Sequence, residues 1–289
     1  MKRIVTLILV ACFLLVGCQS QKTADLAATT LPVYEFTARL CDGTGLSVTR
    51  LVTESVSCLH DYSLNVRQVK AAESAEYIVI SGAGLEEFME DILTDKAVID
   101  ASCDIPILEC DHSHDDDHDH GHHHETDSHI WLSPENAMIM ARNICDGLRS
   151  AYPQYGDIFS ANLAVLTADL QALQSYGDAQ LAELSTRDMI TFHDGFGYFA
   201  QAFDLHILEA VEEESGSEAS AMELKHLIGI VKEHNLPAVF TEINGSCSAA
   251  DVIARETGTH TYALDMAMGG DSYFAAMYHN INMIKEAMG

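Results

Sequence analysis

A chain of 289 residues, 48% of them hydrophobic, is long enough for one large or two ordinary domains and carries the apolar material for their cores. Its 15 Lys and Arg stand against 44 Asp and Glu, a formal charge of -29. Such a surface repels phosphate backbones and anionic headgroups, so nucleic acid is set aside as a partner and a cation is favoured.

The chain opens MKRIVTLILVACFLLVGC, with Lys2 and Arg3 ahead of an apolar run from Ile4 to Val16 that is too short to span a bilayer comfortably. An export signal over residues 1–17 is expected. Leu15-Val16-Gly17-Cys18 resembles the bacterial lipobox, in which the cysteine is lipidated and becomes the mature N-terminus. Residues 18–25 then form a polar, lipidated tether that leaves the globular part on the extracytoplasmic face of the cell membrane. Six further cysteines, Cys41, Cys58, Cys103, Cys110, Cys145 and Cys247, lie in the mature domain. An exported chain can oxidise them, but there is no CxxC pair and the spacings name no partners.

Four short apolar runs, Leu26–Thr30, Leu46–Val52, Tyr77–Ser81 and Ala97–Ala101, alternate with helical or polar stretches, as buried parallel strands do. Ser133-Pro134-Glu135 starts a helix predicted to reach Ala151 and to stop before Pro153. From about Tyr155 to Leu184, Phe159, Leu163, Leu166, Leu170 and Leu173 recur at steps of four and three, the pattern of one long amphipathic helix. Gly177 is expected to be its weak point and a place to bend. Strands resume at Met189–Phe192, Leu205–Glu209, Ala238–Glu242 and His260–Leu264. A helix through Ala221, Leu224, Leu227, Ile228 and Val231, capped by Ser217 or Ser220, lies among them, and a last helix runs from about Ser272 to Met288. The expectation is an α/β fold: two lobes, each with a roughly four-stranded parallel sheet and flanking helices, over 26–153 and 186–289, joined by a linking helix over 154–185. In open α/β sheets ligands sit outside the carboxyl ends of the strands, so a cleft between the lobes is the natural site.

Before the Ser133 helix lies the tract Asp111–Asp127, with seven histidines and seven carboxylates. His112, His114, His118, His120, His122, His123 and His124 offer imidazole to borderline cations such as Zn²⁺, and the acids add a negative field; the loop reads as a metal collector. Outside it, His60 follows the second strand, His129 precedes the Ser133 cap, His193 ends the fifth strand and Asp265 ends the eighth. Three imidazoles and one carboxylate make a closed four-coordinate site suited to Zn²⁺. Glu242, at the end of FTE, has two readings, an acceptor that orients a ligand imidazole or a buried structural carboxylate. His206, His226, His234, His260 and His279 are assigned to surface or packing roles.

The pieces TTLPVYEF, HDYSL, HIWLSPENA, FHDGFGYF, PAVFTE and DSYFAAMYHN, in order from about Ala24 to the C-terminus, resemble the metal-binding lipoproteins of ABC importers, the cluster A-I or zinc/manganese solute-binding family. The resemblance implies two α/β lobes joined by one rigid helix. It also implies a metal held between the lobes by His60, His129 and His193, with Asp265 as a fourth ligand. Manganese members of that family usually place a carboxylate where this chain has His193, and zinc members often carry an acidic, His-rich loop before the second ligand; both features favour zinc. Leu59 departs from the proline common before the first ligand, and the neighbouring Cys58 is a further possible contact.

The function expected is therefore a monomeric, lipid-anchored receptor that takes Zn²⁺ as cargo and passes it to an ABC permease. A manganese or iron receptor is the alternative, opposed by the identity of His193. A secreted zinc hydrolase would need a general base beside the ligands, and neither HExxH nor GxSxG is present. Contact with host molecules by an exposed lipoprotein is compatible with either metal.

Overall fold

Thr, Ser and Gly bound short, buried apolar runs in both halves of the chain, and those runs pair in parallel. In the computed structural model, which describes residues 24–54, 56, 59, 62–108, 126–211 and 219–289, the first lobe runs β1 (Leu26–Ala28), α1 (Leu31–Leu40), β2 (Val48–Arg50), α2 (Val66–Ser74), β3 (Tyr77–Ile80), α3 (Glu90–Leu93) and β4 (Ala97–Asp100). Two helices follow, α4 (Pro134–Ala151) and α5 (Gly156–Gln180). The second lobe runs β5 (Asp188–Thr191), α6 (Gly197–Ala202), β6 (His206–Ala210), α7 (Ala221–His234), β7 (Ala238–Glu242), α8 (Ser248–Thr257), β8 (His260–Leu264) and α9 (Tyr273–Met288). The sheets are ordered β2-β1-β3-β4 and β6-β5-β7-β8, with parallel pairing throughout. This is the two-lobed α/β architecture the sequence predicts, with the same strand plan in each half.

β1 and β2 are three residues long, shorter than the runs that predict them. The chain keeps bonding past their ends, with Leu51 N–H donating to Ala28 O at 2.8 Å and Val52 N–H to Thr29 O at 2.9 Å. Side chains there turn to polar work. Thr29 Oγ1 donates to Glu86 Oε1 at 2.6 Å, and Thr30 and Ser81 pair through their hydroxyls at 3.1 Å. Glu86, fully enclosed, also accepts from the Ser81 and Gly82 N–H groups at 2.7 and 3.0 Å. Burial pushes its carboxyl up to about 7 despite those three donors.

Helix ends follow local chemistry. Ser133 accepts from Asn136 N–H at 3.3 Å ahead of Pro134; Ser220 and Glu223 form a reciprocal capping box at α7, which Asn235 closes in the left-handed region. Ser217 lies outside the described residues. At ~1.5 Å per residue the 25 residues of α5 span about 38 Å. One end of α5 is tied to the first lobe by Asn162, which donates to Leu40 O and Asp42 O at 2.9 Å, and its middle by the Arg39–Asp169 ion pair. The other is tied to the second by Tyr176, whose hydroxyl donates to Asn282 at 2.7 Å.

The expected bend at Gly177 is corrected by the structure: α5 runs through it unbroken to Gln180. A Cβ on Gly177 would lie 2.1 Å from Cε1 of Phe203, so the glycine admits an aromatic ring of the second lobe to the helix surface. A single apolar cluster extends from Leu26, Val33 and Val79 through Trp131, Leu132 and α5 to Phe196, Phe240, Leu264 and Tyr273. The lobes therefore share a core, which opposes wide hinge opening. Among the described residues no helix is long and apolar enough to cross a membrane.

Candidate metal centre

The order of the second sheet reverses between β5 and β7, so the crevice at their carboxyl ends is the topological switch point. His193 lies two residues beyond β5, and Glu242 is the last residue of β7. From the first lobe comes His129, just ahead of the short 3-10 turn Ile130–Leu132 that leads into α4. Trp131 in that turn is wholly buried. Its Nε1 donates to Met266 O at 2.8 Å and its carbonyl accepts from the Tyr273 hydroxyl at 2.8 Å, so the His129 backbone is fixed against the second lobe.

The two imidazoles meet with Nε2 atoms 3.4 Å apart and ring planes at 85°. Each has a carboxylate behind it. Asp127 Oδ1 accepts from His129 N–H at 2.9 Å and faces its Nδ1 at 2.9 Å, while Glu242 Oε1 stands 3.2 Å from Nδ1 of His193. His129, Asp127 and Glu242 are all nearly inaccessible, at 5 to 6% exposure. A carboxylate at Nδ1 favours the tautomer with its proton on that nitrogen and turns the Nε2 lone pair toward the facing ring. Two lone pairs facing each other at 3.4 Å repel unless a cation lies between them. With zinc–nitrogen bonds of about 2.0 to 2.1 Å, an edge of a tetrahedral site is about 3.3 to 3.4 Å, so the spacing fits a shared ion.

The turn after His193 closes on the pair. A Cβ on Gly195 would fall 2.6 Å from His193 Cδ2, 2.8 Å from His129 Nδ1 and 2.8 Å from Met266 Cε. Asp265 directly follows β8; its N–H donates to Asn280 Oδ1 at 2.7 Å and its Oδ1 accepts from Ala267 N–H at 2.8 Å. It does not join His129 and His193 in one group: among the described residues no three His, Cys, Asp or Glu side chains stand close enough together to hold a metal ion. His60, the seven tract histidines and Cys18 lie outside the described residues.

The remaining histidines sit elsewhere. His206 and His234 flank Asp188 at 3.3 and 3.2 Å, at the amino end of β5; His226 is 3.6 Å from Glu209; His279 lies 2.9 Å from Ala263 O; His260 is exposed. Cys41, Cys103, Cys145 and Cys247 are free thiols, with burial pushing Cys41 up to about 12; Cys58 and Cys110 lie outside the described residues. Sequence reading placed Asp127 at the end of the collector tract and so missed its contact with His129. The spacing Asp127-Ser128-His129 carried the signal, because an acid two residues before a histidine can reach back to its Nδ1.

Two α/β lobes, with an imidazole from each meeting at the strand ends between them, set two nitrogen donors in an interlobe crevice. The chain belongs to the family described as zinc-uptake complex component A, periplasmic (ZnuA), whose profile matches residues 26–287. It is 30% identical over 310 residues to the zinc-binding lipoprotein AdcA of Streptococcus pneumoniae serotype 4, an alignment covering 99% of this chain and 61% of that protein. The chain thus spans about three-fifths of that relative's length. A crystal structure of ZnuA superposes with a TM-score of 0.78 at 29% identity, covering 92% of this chain and all of that one. The Zn(II)-bound ZnuA-like domain of Streptococcus pneumoniae AdcA gives 0.76 at 25% identity, covering 91% and 98%.

Proposed function

We propose that the chain is an extracytoplasmic receptor that captures Zn²⁺ between its lobes and delivers it to the permease of an ABC importer. The observation that carries this reading is the pair of Nε2 atoms 3.4 Å apart, each on a ring backed by a carboxylate. His129 and His193 supply two nitrogen donors, and His60 and Asp265 are the two further ligands. Nitrogen donors raise affinity for Zn²⁺ far more than for Mn²⁺, so zinc is the cargo. Membership of an uptake-complex family, and a relative named as a zinc-binding lipoprotein, support the same reading. The ion is carried, not used for chemistry, and the protein is not an enzyme.

Residues 1–17 are the export signal, Cys18 the lipid anchor and 18–25 the tether; 26–153 and 186–289 are the lobes and 154–185 the link. The protein works as a monomer held to the membrane by its lipid. The tract histidines concentrate metal weakly. Release to the permease proceeds by small shifts of the ligand loops, because the shared core resists wide separation of the lobes. Zinc titration of the full chain against a chromogenic chelator tests this: His193→Ala should abolish the tight site and keep the weak ones. Tight binding by that variant would contradict the assignment.

A further inference from the structure

Two described segments proposed to bring ligands to the ion leave different elements: 127–129 precedes α4, and Asp265 follows β8. Arg50, the last residue of β2, reaches across to the turn after Asp265. Its Nε donates to Val52 O at 2.6 Å, just past the end of β2. Its Nη1 donates to Gly270 O and its Nη2 to Met268 O, both at 2.7 Å, in the turn that follows Asp265 in the other lobe. One half-buried guanidinium thus binds three carbonyls, two of them across the lobe boundary. Its planar fork suits that task, since each donor has a fixed direction.

The same strap, 265–273, is seated on the first lobe at both ends. Trp131 holds Met266 O at 2.8 Å, and Glu35 accepts from Tyr273 N–H at 2.6 Å and from Ser272 Oγ at 3.4 Å. Between these anchors Ala267 has φ of 56° and Gly270 φ of 72°. A residue with a Cβ keeps a left-handed conformation only where its surroundings hold it there, and Arg50 grips the carbonyls just beyond Ala267.

We propose that Arg50 is the positioning residue of the metal site: without touching the ion, it locks the end of β2 and the strap that follows Asp265 into one register across the lobes. The proposal rests on the zinc-receptor reading above. A site assembled from two lobes binds tightly when its ligands are held in place beforehand, and freeing them speeds dissociation. Arg187 provides a matched control. It too donates to three backbone carbonyls, those of Phe203, Asp204 and Leu181 at 3.0, 3.0 and 3.1 Å, but within the second lobe and the end of the linking helix, away from the ligand segments.

The test uses the full chain with Arg50→Met, Arg50→Lys and Arg187→Met, reading Zn²⁺ affinity by chelator competition and the visible d–d bands of the Co²⁺-loaded protein. Arg50→Met should weaken zinc by about 10- to 100-fold, the range for partners that orient metal ligands, and reduce the intensity of the cobalt bands. Arg50→Lys, which keeps the charge and provides a second readout should the methionine variant fail to fold, should recover only part of both. Arg187→Met should lower the unfolding temperature and leave affinity and spectrum unchanged. Wild-type affinity and spectrum in the Arg50 variants, or equal losses in Arg187→Met, would overturn the proposal. A wild-type chain with no tight zinc would instead overturn the receptor reading on which it rests.

Discussion

Asp127 offers the sharpest test of how the imidazole pair is held. Its Oδ1 serves two His129 donors, the backbone N–H and the ring Nδ1, each at 2.9 Å and each shielded from water. Asp127→Ala removes both partners at once. Each buried donor left unsatisfied costs about 1 to 3 kcal/mol, reduced where water can enter, so the metal-free chain should lose on the order of 2 to 4 kcal/mol. Zinc affinity should fall separately, by about 100-fold, because nothing then keeps the proton on Nδ1 and the Nε2 lone pair aimed inward. Asp127→Asn retains an acceptor oxygen in place and loses only the charge. Charge-assisted hydrogen bonds are roughly twice as strong as neutral ones, so that variant should lose about tenfold. Thermal unfolding of the metal-free proteins and chelator competition read the two effects independently. Zinc affinity in Asp127→Ala within twofold of wild type would refute the argument.

Two further outcomes follow from the fold. Burial raises the Glu86 carboxyl from 4.5 to about 7, so the folded chain binds that proton more tightly than the unfolded one. Its contribution to stability is complete below about pH 4.5 and is lost as pH rises to about 7, worth roughly 3 kcal/mol across that window. Relative to Glu86→Gln, wild type should therefore lose stability between those pH values in denaturant titrations; parallel profiles for the two proteins would contradict the assignment. Gly177→Ala should destabilise by about 1 to 3 kcal/mol despite alanine's better helix propensity, because the added methyl meets Phe203. An unchanged or raised unfolding temperature would show that the ring moves aside freely.

The strands and helices could be read because their signals are local. All eight strands among the described residues lie within a residue or two of the apolar runs that predict them, and β7 and β8 coincide with theirs. Ser133, Ser220 and Ser272 cap α4, α7 and α9 through contacts three residues away. Gly177 was misread because propensity says only that glycine weakens a helix; the ring that requires it is 26 positions further along the chain. His129 and His193 were legible as residues at strand and helix ends in both lobes, and their meeting agrees with that placement. Arg50 could not be found in this way. On a sequence it is one basic residue at a strand end, and its role depends on carbonyls more than 200 positions away.

The same limit affects the histidine tract. Composition alone runs it from Asp111 to Asp127, yet Asp127 is buried and bonded to His129, so a deletion that tests the collector must stop short of it. Competitive Zn²⁺ and Mn²⁺ binding to the chain with and without residues 111–125 tests the central claim most directly. The account predicts one tight zinc site that survives the deletion and resists excess Mn²⁺, with only weaker sites removed. Loss of all tight binding, or preference for Mn²⁺, would contradict it.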